Sequence, residues 1–105
     1  MTVQDFMLVS GVPMSLKGYD LLKEAIEINI EEQVKPIPIM AVYEDIARKH
    51  NANAYTVERN IRTAIRKGYP NLDADIKEKL FRNAERVASG NYIKTISYAI
   101  RNNLI

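Results

Sequence analysis

Apolar residues recur along this chain at the three- and four-residue spacing of one helix face, and nothing alternates in the two-residue period of a strand for long enough to compete. The pattern predicts about six helices. The first, near residues 2–10, opens with Thr2 and Asp5 at capping-box spacing and closes at Gly11, after which Pro13 prevents continuation. The second runs to about Glu32, with Ser15 as its candidate cap, Leu22, Ala25, Ile26 and Ile30 at core spacing, and acidic residues facing water. Pro36 and Pro38 end that region and restart the chain. A third helix, about Ile39 to His50, turns Ile39, Val42, Tyr43, Ile46 and Ala47 inward.

Asn51 tolerates the tight turn that follows. Asn53 is the expected N-cap of a fourth helix, its side-chain oxygen meeting backbone amides left open at Tyr55 or Thr56, and Gly68 and Pro70 terminate that helix. Two more helices are predicted. One runs from about Asp73 to Ala88 with Ile76, Leu80, Ala84 and Val87 inward; the other runs from about Tyr92 to Leu104 with Ile93, Ile96, Ile100 and Leu104 inward, Gly90 separating them. The expected fold is all-α, a compact bundle of about six helices whose third and fourth form a helix-turn-helix. No repeat, low-complexity tract or Ser/Gly-rich linker divides residues 1–105, so one domain is expected, without a receiver domain.

The fourth helix separates its faces sharply. Successive residues advance by about 100°, so with Val57 at the origin Ile61, Ala64, Ile65 and Gly68 fall within roughly 80° and form one apolar stripe. Tyr55, Arg59, Arg62 and Arg66 lie about 140° to 200° away, with Thr56, Glu58 and Thr63 flanking them. Three guanidinium groups thus share an outward face, as a helix-turn-helix presents itself to DNA.

Charge along the chain sharpens this reading, although the net charge is only +2. Residues 1–47 hold three Lys against eight Asp or Glu, a local charge of −5, whereas residues 48–70 hold six Lys or Arg and one Glu, a local charge of +5. Residues 71–105 add +2 from six basic and four acidic residues. The positive field therefore gathers on the segment proposed to meet DNA.

Composition excludes other chemistry. With 105 residues the chain can bury roughly two-thirds of its unfolded surface without metals or disulfides, and zero cysteines remove disulfides, thiolate zinc sites and cysteine nucleophiles together. No glycine-rich phosphate loop, nucleophile motif or metal-ligand cluster is present, so no enzyme, catalytic residue, metal or cofactor is expected. His50, the sole histidine, reads as a helix-end residue, since no second His or Cys accompanies it. No run of about 18 apolar residues would span a bilayer and no basic-then-apolar signal segment opens the chain, so a cytoplasmic location without membrane contact is expected.

Two blocks carry a family resemblance. The run Gly11-Val12-Pro13-Met14-Ser15-Leu16-Lys17-Gly18-Tyr19 with Leu22-Lys23-Glu24-Ala25-Ile26 resembles the start of the DNA-binding effector domain of the stage-zero-A sporulation response regulator family. Tyr43, Asp45-Ile46-Ala47-Arg48-Lys49, Ala54, Val57-Glu58-Arg59, Ile61-Arg62 and Ala64-Ile65 form the second block, in the same order. Together they cover roughly residues 7–66; beyond Gly68 the likeness is mainly one of helix spacing.

The resemblance implies six helices, with the fourth entering the major groove of double-stranded DNA to read a short promoter box. It puts Glu58 and Arg59 where that family contacts bases and Arg62 where it contacts DNA one turn later. The chemistry suits those roles, since Arg can donate two bonds to guanine and Glu can accept from the cytosine amino group. Arg62 and Arg66 suit phosphate, which fixes register without reading sequence. The resemblance also brings an RNA polymerase sigma subunit and a homodimer on DNA as candidate partners. Tyr55, Thr56 and Thr63 depart from the family pattern, which has a small hydroxyl residue, a basic residue and often a His at those positions. The alternative from another class is a helix-turn-helix-derived protein–protein interaction module that sequesters a related regulator.

Overall fold

The computed structural model describes residues 1–32 and 37–105, and among them every regular element is helical. α1 (Val3–Val9) begins with the predicted capping box: the Thr2 hydroxyl accepts from the Asp5 amide at 3.0 Å, and the Asp5 carboxylate accepts from the Thr2 amide at 3.2 Å. It ends at Ser10, before Gly11 takes a φ of 80° that L side chains rarely adopt. Ser10 is buried yet satisfied, its hydroxyl donating to the Met7 carbonyl at 2.7 Å and accepting from the Val12 amide at 3.2 Å.

α2 (Lys17–Glu31) is the centre of the fold, packing against α4, α6, α3 and α1. Ser15 does not cap it. Leu16 holds the cap position without a side-chain bond, and the entry is shaped instead by a backbone turn in which the Leu16 amide donates to the Pro13 carbonyl at 3.1 Å. Leu22, Ala25 and Ile26 are fully buried as the spacing predicts, while Ile30 is only half-buried at the far end. The expectation for Pro36 lies outside the described residues.

α3 (Ile39–Lys49) follows Pro38 and buries Val42, Tyr43, Ile46 and Ala47, with Ile39 packed at the edge. α4 (Ala54–Gly68) buries Val57, Ile61, Ala64, Ile65 and Gly68, the five residues of the predicted stripe. A 3₁₀ turn over Tyr69–Asn71, with Pro70 inside it, ends α4 where Gly68 and Pro70 were expected to end it.

The structure departs most from the periodicity after residue 72. α5 (Ala74–Phe81) is half the predicted length, because Arg82 and Asn83 adopt φ of 51° and 57° and break the helix. Ala84, expected inward, is exposed, and Phe81 takes its place in the core. The Tyr69 hydroxyl donates to the Ala84 carbonyl at 2.7 Å and holds the segment after α5 against the turn that follows α4. α6 (Ser89–Arg101) begins three residues earlier than expected, so Gly90 lies inside its first turn and does not separate it from α5. Its Ile93 and Ile96 are fully buried, Ile100 packs at the edge of the core, and Leu104, expected inward, lies past the helix end and is exposed.

Candidate nucleic-acid interface

The turn between α3 and α4 is built from backbone and one side chain. Asn51 adopts a φ of 52°, the Ala52 amide donates to the Ala47 carbonyl at 2.9 Å and the Asn51 amide to the Arg48 carbonyl at 3.4 Å. That pair of bonds is the Schellman closure, which satisfies carbonyls the helix end leaves open. Asn53 then starts α4, its side-chain oxygen accepting from the Thr56 amide at 2.9 Å, one of the two amides expected. His50 ends α3 as predicted, and its Nε2 lies 2.8 Å from a Glu24 carboxylate oxygen, tying the turn to α2.

Because α4 buries one stripe against α2 and α3, its other side is fixed in space. Tyr55 is 79% exposed, and Arg59, Arg62 and Arg66 are exposed on the same side. Thr56, Glu58 and Thr63 are half-buried at the flanks, as the helical arithmetic requires. All seven residues singled out in the sequence thus lie on one helix surface.

Their electrostatics differ. Glu58 and Arg62 form an i,i+4 ion pair at 3.5 Å, whereas neither Arg59 nor Arg66 has an ion-pair partner among the described residues. Arg48 and Lys49, counted in the basic segment, are both drawn to Asp45, at 3.2 and 3.4 Å. Within residues 48–70 the positive charge without an ion-pair partner among the described residues therefore lies on α4. Beneath it, Tyr43 has its hydroxyl pushed up to about 12, first by burial and then by the nearby Glu58 carboxylate, so it stays protonated.

The structure also brings Arg86 to the side of α4 that carries Arg62 and Arg66. Periodicity could not have found it, because residues 82–88 read as helix and the break at Arg82 and Asn83 lacks the Gly or Pro that would announce it.

A small all-α protein with a capped turn leading into a basic, outward-facing helix is the class these features define. The family model described as sporulation initiation factor Spo0A C terminal matches residues 3–100, and the chain belongs to that family, a DNA-binding domain of a sporulation regulator. The match extends past Gly68 through most of α6, well beyond the two blocks legible in the sequence. No helix among the described residues is long and apolar enough to cross a membrane.

Proposed function

We propose that this chain is a sequence-specific DNA-binding transcription regulator acting as one domain, with α3 and α4 as its helix-turn-helix and α4 lying in the major groove. The observation that carries this reading is the outward surface of α4, where Arg59 and Arg66 stand exposed without ion-pair partners among the described residues, beside Tyr55. Arg59, in the half of α4 nearer the capped end, is assigned to base edges together with Glu58; Arg66, near the far end, is assigned to phosphate. Arg62 reaches the backbone between them, steered by its pairing with Glu58. Tyr55, Thr56 and Thr63 frame the contact surface.

The test is DNA binding measured across a salt series. Each phosphate neutralised contributes a slope of about −0.9 in log affinity against log salt, so contacts by Arg62 and Arg66 with one further cation should give a slope near −3 or steeper. A chain that binds no DNA at low salt would sink the reading, and co-purification with a regulator of the same family would then point to the sequestering alternative.

A further inference from the structure

Between α4 and the segment joining α5 to α6 lies a groove of about 630 Å³, a size that small-molecule sites commonly have. Two contacts set its walls. The Tyr69 hydroxyl pins the segment by donating to the Ala84 carbonyl at 2.7 Å, and the first turn of α6 packs against α3 where Gly90 faces Ile39. The groove is thus built by hydrogen bonding and packing before any ligand arrives.

Ile39, Ile65, Pro70 and Val87 make its lining apolar, while three arginines, Arg62, Arg66 and Arg86, meet two carboxylates, Glu58 and Glu85. Glu58 is engaged by Arg62 at 3.5 Å. That leaves Arg66 and Arg86 facing only Glu85, none of the three in an ion pair among the described residues. An apolar wall beside two such guanidinium groups is complementary to a molecule with an apolar body and one negative head.

We infer that this groove binds a small amphipathic anion, its apolar body against Ile39, Ile65 and Val87 and its carboxylate or sulfonate held by Arg66 and Arg86, and that occupancy opposes DNA binding. Arg62 and Arg66 belong both to the groove and to the outward surface of α4. A guanidinium turned to a bound anion is withdrawn from phosphate, and linkage makes the effect reciprocal. The opposition rests on the DNA-binding reading above; the site itself does not.

The experiment titrates the full chain with anilinonaphthalene sulfonate and, in parallel, with phenylnaphthylamine, the same rings without the negative head. Both titrations are repeated on Arg86→Gln, which removes charge at an exposed position, and on Ala88→Trp, which fills the groove; thermal melting reports that each variant folds. The expected result is one saturable site for the sulfonate, weakened about tenfold by Arg86→Gln, the loss of one charge-assisted hydrogen bond. Phenylnaphthylamine should be indifferent to Arg86→Gln, and Ala88→Trp should abolish both. Absence of saturable sulfonate binding, or sulfonate binding that neither substitution alters, overturns the site. With a bound DNA fragment present, sulfonate and DNA should weaken each other by the same factor; simultaneous binding without mutual weakening overturns the opposition. A chain that binds the sulfonate as described but never binds DNA overturns the DNA-binding reading and leaves the site standing.

Discussion

Gly18 stands where α2 crosses α4, and a Cβ there would collide with the Asn60 carbonyl oxygen and come within 2.9 Å of the Ala64 Cβ. Helix propensity alone favours Ala over Gly by about 1 kcal/mol, so Gly18→Ala pits a local gain against a tertiary clash. The clash involves backbone, which cannot swing aside, and overpacking costs about 1–3 kcal/mol or more. Gly18→Ala should therefore lower the denaturant midpoint, and an increase would show that α2 and α4 part easily. This explains why the run from Gly11 to Tyr19 is informative as sequence: Gly11 supplies a positive φ, Val12 and Tyr19 are buried, and Gly18 supplies room. On the outward surface of α4, residues of one type divide by their surroundings. Arg59→Ala should relax sequence preference by about 1–3 kcal/mol of discrimination at one base pair, whereas Arg66→Ala should weaken all sequences about equally. Binding-site selection from a random DNA pool reads both, and a uniform loss at Arg59 would contradict the assignment. Tyr55, Arg59 and Arg66 were legible because exposure on a helix follows from angle alone. The pairing of Arg48 and Lys49 with Asp45 was not, since sequence separation fixes which residues can meet but not which do.

Among the elements, α1, α3 and α4 were legible to within a residue or two at each end because their boundaries are local chemistry. Thr2 and Asp5 close a capping box, Asn51 accepts a left-handed turn and Asn53 caps α4. The capping box makes α1 sensitive to acid. Backbone hydrogen bonding from Thr2, and then its side chain, holds the Asp5 carboxyl below its ordinary 3.8. A group with a lowered folded value contributes its stability above the unfolded value and loses it as pH falls through the folded one. The first turn of α1 should therefore loosen only below about pH 4, seen as altered amide shifts at Thr2 and Phe6; loosening near neutral pH would contradict the box. α5 is shorter than its apolar spacing predicts, since that spacing continues unbroken from Ile76 through Val87. Nothing local opposes helix there, and Arg82 in a left-handed conformation runs against residue preference.

At the scale of the whole molecule, an aromatic chain joins α1, the turn after α4, α5 and α6. Phe6 meets Tyr92 edge-on at 6.2 Å between centroids, Tyr92 stacks on Phe81 at 5.6 Å, and Phe81 meets Tyr69 edge-on at 5.7 Å. Tyr92 is completely buried, its hydroxyl has no hydrogen-bond partner among the described residues, and burial raises its ionisation. An unpaired buried hydroxyl costs about 1–3 kcal/mol, so Tyr92→Phe should raise stability by about 1 kcal/mol. A drop in melting temperature would show instead that the hydroxyl is hydrogen-bonded in solution. This cluster decides where α5 stops: Phe81 is drawn into it, Tyr69 sits at its end, and the Tyr69 hydroxyl captures Ala84. By itself the sequence determined the helical class, the stripe and arginine surface of α4, the capped turn before it and the resemblance to its family, because each is read from residue types and their spacing along the chain, whichever elements meet in space. Only the tertiary structure decided that α5 ends at Phe81 and that Arg86 joins Arg62 and Arg66 around one groove. Those outcomes depend on partners far along the chain, whose meeting is set by packing and not by period.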